Sequence, residues 1–265
     1  MSVLAVIPAR FGSSRYPGKP LLKATGKFLV EHVVEQVRQA RHVQEVIVAT
    51  DDQRIIRAVE SFGTRAVLTA GTHCSGTDRV AEVARRPEFL HYQYFLNVQG
   101  DEPEIPPETI DDLARLIAVS PPSEKGAELA SPLREMVTAA VNITDPAAIN
   151  NPNVVKVVVD AMGRALYFSR SAIPYRRADG GVVPVGDQPM LYRQHLGVYA
   201  YRRDFLLRLA AHPPCALEEY EKLEQLRALF MGATILVHDV SFAPHGIDTP
   251  ADYQAFIQRY ERGCR

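Results

Sequence analysis

The segment of residues 8–20 concentrates cationic side chains, with Arg10, Arg15 and Lys19 inside ten positions and two glycines among them. Cations bind polyphosphate oxygens, and glycine lets the backbone approach such a ligand closely. It is not a Walker A loop, because proline follows Lys19, and it lacks GxGxxG. Composition alone leaves a solvated basic loop as an equal alternative. Its place after the first predicted strand favours phosphate binding, since open parallel sheets bind ligands at the carboxyl ends of strands.

Two aspartates are candidates for binding a cation carried on such phosphates. Asp101 lies in Gln-Gly-Asp-Glu-Pro (99–103), directly after a predicted buried strand, where a carboxylate can meet Mg²⁺. An acidic turn is the structural alternative. Asp248 precedes Thr-Pro, and on spacing alone an ordinary helix N-cap is the favoured interpretation of this residue.

The elements that must position these residues alternate between strands and helices up to about residue 119. Short apolar runs predict strands at 3–7, 45–49, 66–68 and 94–98. Helical spacing and patterning predict helices at 29–37, 52–62 and 78–86. This alternation is typical of βαβ units and predicts a mostly parallel sheet.

The pattern changes after residue 119, where Ser-Pro-Pro-Ser (120–123) marks a candidate boundary. The following segments predict strands at 136–143, 154–159, 165–168, 192–201 and 234–237, with a hairpin turn at 160–163. Apolar residues from Leu217 to Phe230 recur at helical spacing, and a last helix begins at 248–250. We therefore predict an α/β fold with a single domain over residues 1–265 and an antiparallel β insert at about 127–201.

Composition excludes several classes of protein. Lys plus Arg is 30 and Asp plus Glu is 31, and the net charge of −1 argues against a nucleic-acid or anionic-membrane binder. Hydrophobic residues make up 46% of the chain and charged residues 23%, an ordinary globular mixture. Three cysteines without CxxC spacing argue against a disulfide framework or a zinc site. With no recognisable signal peptide or long apolar stretch, we expect a cytoplasmic location.

Motifs spread in order along nearly the whole chain carry a resemblance to a known family. The earlier ones are Ile-Pro-Ala-Arg (7–10), Arg-Tyr-Pro-Gly-Lys-Pro-Leu (15–21), Val-Ala-Thr-Asp-Asp (48–52), Ser-Gly-Thr-Asp-Arg (75–79) and Asn-Val-Gln-Gly-Asp-Glu-Pro (97–103). The later, more specific ones are Asn-Pro-Asn-Val-Val-Lys-Val-Val (151–158), Ala-Leu-Tyr-Phe-Ser-Arg (165–170), His-Leu-Gly-Val-Tyr (195–199), Leu-Glu-Gln-Leu-Arg (223–227) and Ile-Asp-Thr-Pro (247–250). The sequence resembles the 3-deoxy-manno-octulosonate cytidylyltransferases, or CMP-Kdo synthetases.

The resemblance implies a Rossmann-like nucleotidyltransferase fold and a reaction. The family converts CTP and the sugar acid 3-deoxy-D-manno-octulosonate (Kdo) to CMP-Kdo and pyrophosphate for lipopolysaccharide synthesis. The implied cofactor is Mg²⁺, and the implied oligomer is a homodimer with the antiparallel insert at its interface. Two ions could clamp the α-phosphate and acidify the sugar hydroxyl, so that no protein base is required.

The resemblance also assigns residues to CTP and the metal. The triphosphate would be held by Arg10, Arg15 and Lys19, and the cytidine would be framed by Pro8, Ala9, Ser75, Gly76 and Thr77. Mg²⁺ would be bound by Asp101 and Asp248. The implied catalytic set is Asp101, Asp248, Lys19 and Arg10.

For the sugar acid, the resemblance assigns Arg170 to the carboxylate, which a guanidinium fork can pair bidentately. Hydroxyl contacts are assigned to Gln99, His195, Tyr199, Glu224 and Gln225. From the residues alone, a structural alternative is favoured for each of these residues. Arg170 would form a surface ion pair, His195 would be a structural hydrogen-bonded histidine, and Tyr199 would be a half-buried strand aromatic. Glu224 and Gln225 would lie on the polar face of a 217–230 helix.

Two other functions stay open at this point. A synthetase for another sugar acid, such as a sialic acid, would share the first loop, although Leu-Glu-Gln-Leu-Arg (223–227) favours Kdo. A nucleotide-binding regulatory module without turnover is the other alternative, and the presence of both Asp101 and Asp248 argues against it.

Overall fold

The computed structural model describes residues 2–12, 16–119, 134–177 and 191–263 of the 265-residue chain. Arg15 and the predicted boundary at 120–123 lie outside the described residues. Contacts divide the chain into two compact units: unit 1 is residues 1–115 with 244–265, and unit 2 is residues 116–243. The single domain over residues 1–265 stays a prediction, as does the role of the insert at about 127–201 in sugar binding and dimerisation.

The strands are β1 (Val3–Ala9), β2 (Glu45–Thr50), β3 (Arg65–Leu68), β4 (Tyr94–Asn97), β5 (Met136–Asn142), β6 (Lys156–Val159), β7 (Ala165–Ser169), β8 (Arg193–Arg202) and β9 (Ile235–Val240). The helices are α1 (Leu29–Arg38), α2 (Gln53–Ser61), α3 (Gly76–Arg85), α4 (Pro107–Ala118), α5 (Pro146–Asn150), α6 (Arg203–Ala211), α7 (Ala216–Glu221), α8 (Gln225–Phe230) and α9 (Pro250–Gly263). Every predicted strand is present, with ends shifted by a few residues. In the part of the chain that is described, no helix has the length and apolarity needed to cross a membrane.

Unit 1 is built on a parallel sheet in the order β3-β2-β1-β4. Residues 3–7 of β1 have no exposed surface, because this strand lies between β2 and β4 and the helices α1 and α3 pack against it. Since all four strands are parallel, their carboxyl ends meet at one edge. The segments that follow β1, β2 and β4 therefore begin at the same edge, as the sequence predicts for the cationic loop and Asp101.

Unit 2 contains the antiparallel strands. β8 pairs antiparallel with β5 and β6, β6 pairs antiparallel with β7, and β5 pairs in parallel with β9. Asp160 accepts hydrogen bonds from the N–H groups of Met162 and Arg164 in the β6–β7 turn, and Gly163 takes a φ of 74° there. The predicted hairpin and the predicted α/β fold, with parallel and antiparallel strands, are confirmed.

The predicted continuous helix from Leu217 to Phe230 is wrong. The structure has two short helices, α7 and α8, separated at Lys222, whose φ of 54° and ψ of 48° reverse the helical hand. The residues that suggested one apolar face do not form one: Tyr220 is 90% exposed and Phe230 is 61% exposed. Gln225 is buried, so it does not belong to the polar face of a surface helix.

Candidate active site

Lys19 joins two carboxylates that are far apart in the sequence. Its Nζ donates to Asp101 Oδ2 at 2.5 Å, to the Ile247 carbonyl at 2.9 Å and to Asp248 Oδ1 at 3.3 Å. All of these residues belong to unit 1. Two carboxylate oxygens and one carbonyl oxygen therefore converge on the Lys19 ammonium.

The Asp248 carboxylate is not the cap of α9, so the helix-cap interpretation of this residue is wrong. Thr249 caps the helix instead: its Oγ1 accepts from the Asp252 N–H at 3.2 Å, and Asp252 Oδ2 accepts from the Thr249 N–H at 2.8 Å. This reciprocal pair is a capping box. Asp248 lies one residue earlier, where one of its carboxylate oxygens meets Lys19.

Gly100 lets the Asp101 turn lie directly against β1. A Cβ added to Gly100 would be 2.9 Å from the Pro8 carbonyl oxygen, closer than real Cβ atoms come, so only glycine fits without a backbone shift. Beside Asp101, burial first and the Asp101 charge second raise the pKa of Glu102 to about 8. Both causes favour the neutral form of the Glu102 carboxyl.

The predicted cytidine frame is brought together around the start of α3. Ser75 caps this helix by accepting from the Asp78 N–H at 3.1 Å. A Cβ added to Gly76 would lie 3.3 Å from Pro8 Cγ, so the helix start lies against the end of β1. Ala9 and Thr77 are both buried in the same unit. Arg10 is exposed and has no ion pair with the side chains that the structure describes.

Arg79 is a buried arginine that the sequence-based assignments did not include and that links three segments of unit 1. Its guanidinium is buried, contacts Thr69 Oγ1 through Nη1, and donates from Nη2 to Asp51 Oδ2 at 3.1 Å. A buried cation needs such partners, and these tie α3 to the ends of β2 and β3. In the sequence, these two charges lie in two of the family motifs: Asp51 in Val-Ala-Thr-Asp-Asp and Arg79 in Ser-Gly-Thr-Asp-Arg.

In unit 2, buried polar groups gather around His195. The Thr138 hydroxyl can donate its one proton to the Val198 carbonyl at 2.8 Å, and it then accepts from His195 Nε2–H at 3.1 Å. Burial lowers the pKa of His195 to about 3, so the ring is neutral. In the tautomer whose Nε2–H donates to Thr138, the other ring nitrogen, Nδ1, is an acceptor. Tyr199 OH donates to Gln225 Oε1 at 3.2 Å. Gln225 Nε2 is buried without a hydrogen-bond partner among the described residues.

His195 is expected to make folding stability fall in acid. The unfolded chain takes up a proton near the ordinary pKa of 6.5, whereas the folded chain does so only near 3. The unfolding free energy therefore keeps its full value above pH 6.5, and it decreases below pH 6.5 because the unfolded chain then binds a proton that the folded chain does not. From about pH 7.5 to about pH 5 the wild type should lose about 2 kcal/mol of unfolding free energy more than His195→Gln loses.

Urea unfolding at a series of pH values measures this difference. His91→Gln, which replaces an exposed histidine, is the matched control and should keep the wild-type pH dependence. Parallel pH profiles for the wild type and His195→Gln would contradict the assignment of a buried, neutral ring.

Arg170 is engaged with the main chain. Its guanidinium donates to the carbonyl oxygens of Pro152 at 2.9 Å, Glu221 at 2.7 Å and Lys222 at 3.5 Å. The guanidinium therefore bonds backbone carbonyls instead of forming the surface ion pair considered from the residues alone. The contact of Arg170 with a sugar carboxylate stays a prediction. Gln99 and Glu224 are partly buried; Gln99 belongs to unit 1 and Glu224 to unit 2.

Comparisons with known proteins find similarity to cytidylyltransferases over almost the whole chain. A family profile described as Cytidylyltransferase matches residues 4–235. The 3-deoxy-manno-octulosonate cytidylyltransferase of Idiomarina loihiensis is 47% identical over 96% of each chain. That of Geobacter sulfurreducens is 44% identical over 98% of this chain and 99% of its own.

Solved structures of nucleotidyltransferases are also similar to this chain. A CMP:2-keto-3-deoxy-manno-octonic acid synthetase complexed with CTP is 38% identical, with a TM-score of 0.86 over 99% of this chain and 100% of that chain. A nucleotidyl transferase from Methanothermobacter is 15% identical with a TM-score of 0.59 and shares the fold alone.

Proposed function

The chain belongs to the 3-deoxy-manno-octulosonate cytidylyltransferase family, and we propose that it transfers the cytidylyl group of CTP to Kdo, giving CMP-Kdo and pyrophosphate. The observation that best supports catalytic activity is that the carboxylates of Asp101 and Asp248 both bond Lys19. A chain that had lost turnover and kept only nucleotide binding would have no need of this pair.

Asp101 and Asp248 are the residues that we propose to hold Mg²⁺. They supply hard carboxylate oxygens that already meet one cationic group, the Lys19 ammonium, and Mg²⁺ is commonly bound by one or two carboxylates together with substrate phosphates. When bound, the metal would withdraw charge from the phosphate oxygens and lower the pKa of the attacking sugar hydroxyl. Lys19 adds a positive charge beside the same carboxylates.

The nucleotide is assigned to unit 1. Arg10, Arg15 and Lys19 would hold the triphosphate as cations, and Arg10 is exposed at the end of β1, where a phosphate can reach it. The cytidine would lie against Pro8 and the start of α3, beside the point where the two are in contact. Support for this frame comes from the close packing of Gly76 against Pro8, which leaves no room for a larger residue at position 76 without a shift.

The sugar acid is assigned mainly to unit 2. Neutral His195 offers an acceptor at Nδ1, and buried Gln225 offers a donor at Nε2 that finds no partner among the described residues. Both suit hydroxyl groups, because each hydroxyl donates and accepts. Tyr199, Glu224, Gln99 and Arg170 complete the proposed set. We further propose a cytoplasmic homodimer that supplies activated Kdo for lipopolysaccharide synthesis, as the family resemblance implies.

Pyrophosphate release from CTP, Kdo and Mg²⁺ tests the proposed function. Initial rates with CTP should greatly exceed those with ATP or GTP at equal nucleotide and metal concentrations, because a frame built for a pyrimidine excludes the larger base. A sialic acid in place of Kdo should give little product. Comparable turnover of a purine triphosphate would contradict cytidylyl transfer, and CTP binding without turnover would favour a regulatory module.

A further inference from the structure

The turn before Glu224 and Gln225 has an uncommon backbone. Lys222 lies in the left-handed region, with φ 54°, and it is the single non-glycine residue with positive φ in the described ranges. A residue with a side chain is uncommon in this region except at the end of a helix, and the Lys222 N–H caps α7 in this way by donating to the Glu218 carbonyl. This cap sets the direction in which the chain leaves α7. The start of α8 therefore depends on what holds the turn between α7 and α8.

The carboxylate of Glu221 attaches this turn to the end of β7. Its Oε1 accepts from Ser169 Oγ at 2.6 Å, and its Oε2 accepts from the Arg170 N–H at 2.9 Å. Both oxygens are therefore used, one by each of two successive residues. Glu221 is the last residue of α7, directly before the left-handed position.

The end of β7 returns hydrogen bonds to the same turn. Arg170 Nε donates to the Glu221 carbonyl at 2.7 Å, and the Arg170 carbonyl in turn accepts from the buried Lys156 Nζ at 2.6 Å. Lys156 has no exposed surface, and its Nζ also donates to the carbonyls of Asn151 and Val154. Glu221 is thus bonded to buried Ser169 and to half-buried Arg170, whose carbonyl is itself bonded to the fully buried Lys156.

Gln225 follows this turn as the first residue of α8, so the turn determines where its side chain lies. It is 3% exposed, and its Oε1 accepts from Tyr199 OH at 3.2 Å. Its Nε2 is buried with no partner among the described residues, and a buried donor without a partner is costly. Such a donor points to an acceptor on a ligand, and a small shift of α8 would misdirect it.

We propose that Glu221 is a positioning residue for recognition of the sugar acid. By bonding Ser169 and Arg170 it holds the Lys222 turn in place, and the turn sets Gln225 at the start of α8. Glu221 itself does not contact the substrate. The inference rests on the proposed function, which assigns Gln225 to the sugar acid. The competing explanation is that Glu221 only stabilises unit 2.

Steady-state kinetics of the full chain distinguish these explanations. Glu221→Ala should raise the KM for Kdo about tenfold, because the turn is no longer held by Ser169 and Arg170 and the Gln225 donor is misdirected, at the cost of about one hydrogen bond to the sugar acid. The KM for CTP, and CTP binding titrated without sugar, should change less than about twofold, because CTP is assigned to the other unit. Glu221→Gln should recover most of the loss, since an amide can donate to Ser169 Oγ and accept from the Arg170 N–H.

Two control variants separate positioning from stability. Glu219→Ala removes an exposed carboxylate from the same helix and should leave both KM values unchanged. Phe205→Leu truncates a buried side chain in α6 of the same unit and provides a loss of Tm without touching the turn. If Glu221→Ala does not fold, Glu221→Asp keeps the charge but is too short to reach both donors, and it should still raise the KM for Kdo.

The outcomes are distinct. An equal rise in both KM values, or the same Kdo shift in Phe205→Leu at an equal loss of Tm, would overturn the positioning role. An active wild type with an unchanged KM for Kdo in Glu221→Ala would overturn this inference and leave the proposed function intact. A wild type that releases no pyrophosphate from CTP and Kdo would overturn both.

Discussion

Asp101→Asn and Asp248→Asn should each lower turnover by about a hundredfold or more while the protein stays folded. The amide keeps the size of the carboxylate, and its oxygen can still accept from Lys19 Nζ. It loses the charge that attracts a hard cation, and metal stabilisation of phosphoryl transfer is worth several kcal/mol. The measurement is pyrophosphate release over a range of Mg²⁺ concentrations, with Tm recorded for each variant.

The structure makes Asp248→Asn the sharper of the two tests. Because Thr249 and Asp252 cap α9, the substitution leaves the cap intact, and a loss of activity cannot be attributed to an unravelled helix. Asp204→Asn, at an exposed carboxylate in α6, is the charge-matched control and should keep full activity. Near-normal turnover of Asp248→Asn at limiting Mg²⁺ would remove Asp248 from the metal site.

Arg227→Met should destabilise the protein by about 3–5 kcal/mol, the largest stability effect that we expect from one substitution. Arg227 Nε donates to Glu218 Oε2 at 2.6 Å, and Nη2 pairs with the second oxygen. The two side chains are only 9% and 11% exposed, so removing the arginine leaves a carboxylate buried without its partner. Urea unfolding monitored by far-UV circular dichroism measures the loss.

Two further variants show whether burial of the charge is the cause. The double variant Glu218→Leu/Arg227→Met should recover most of the stability, because no unpaired charge remains. Arg208→Met removes an ion pair with Glu135 in which the arginine side chain is 58% exposed, and it should cost less than about 1 kcal/mol. Equal losses for Arg208→Met and Arg227→Met would contradict this account of the α7–α8 pair.

Much of the fold could be predicted because local patterns report local interactions. Apolar runs of strand length gave the positions of β1, β2 and β4, since a strand buried on both faces needs a continuous apolar segment. The same reasoning failed at 217–230, where the apolar residues recur at helical spacing but do not share a buried face. At the break, the Lys222 N–H donates to the Glu218 carbonyl, and the Glu221 carboxylate bonds the turn to the end of β7; neither contact is visible in a periodicity.

The candidate site divides in the same way. The sequence by itself determined the α/β alternation, the cationic loop after β1 and the family, because these depend on neighbouring residues and on motifs read in order. Only the tertiary structure decided that Asp101 and Asp248 meet at Lys19, that Thr249 rather than Asp248 caps α9, and that Arg170 braces main-chain carbonyls. Each of these depends on hydrogen-bond partners and their directions. Lys19 is 82 positions from Asp101 and 229 from Asp248, so folding alone brings their atoms within hydrogen-bonding distance.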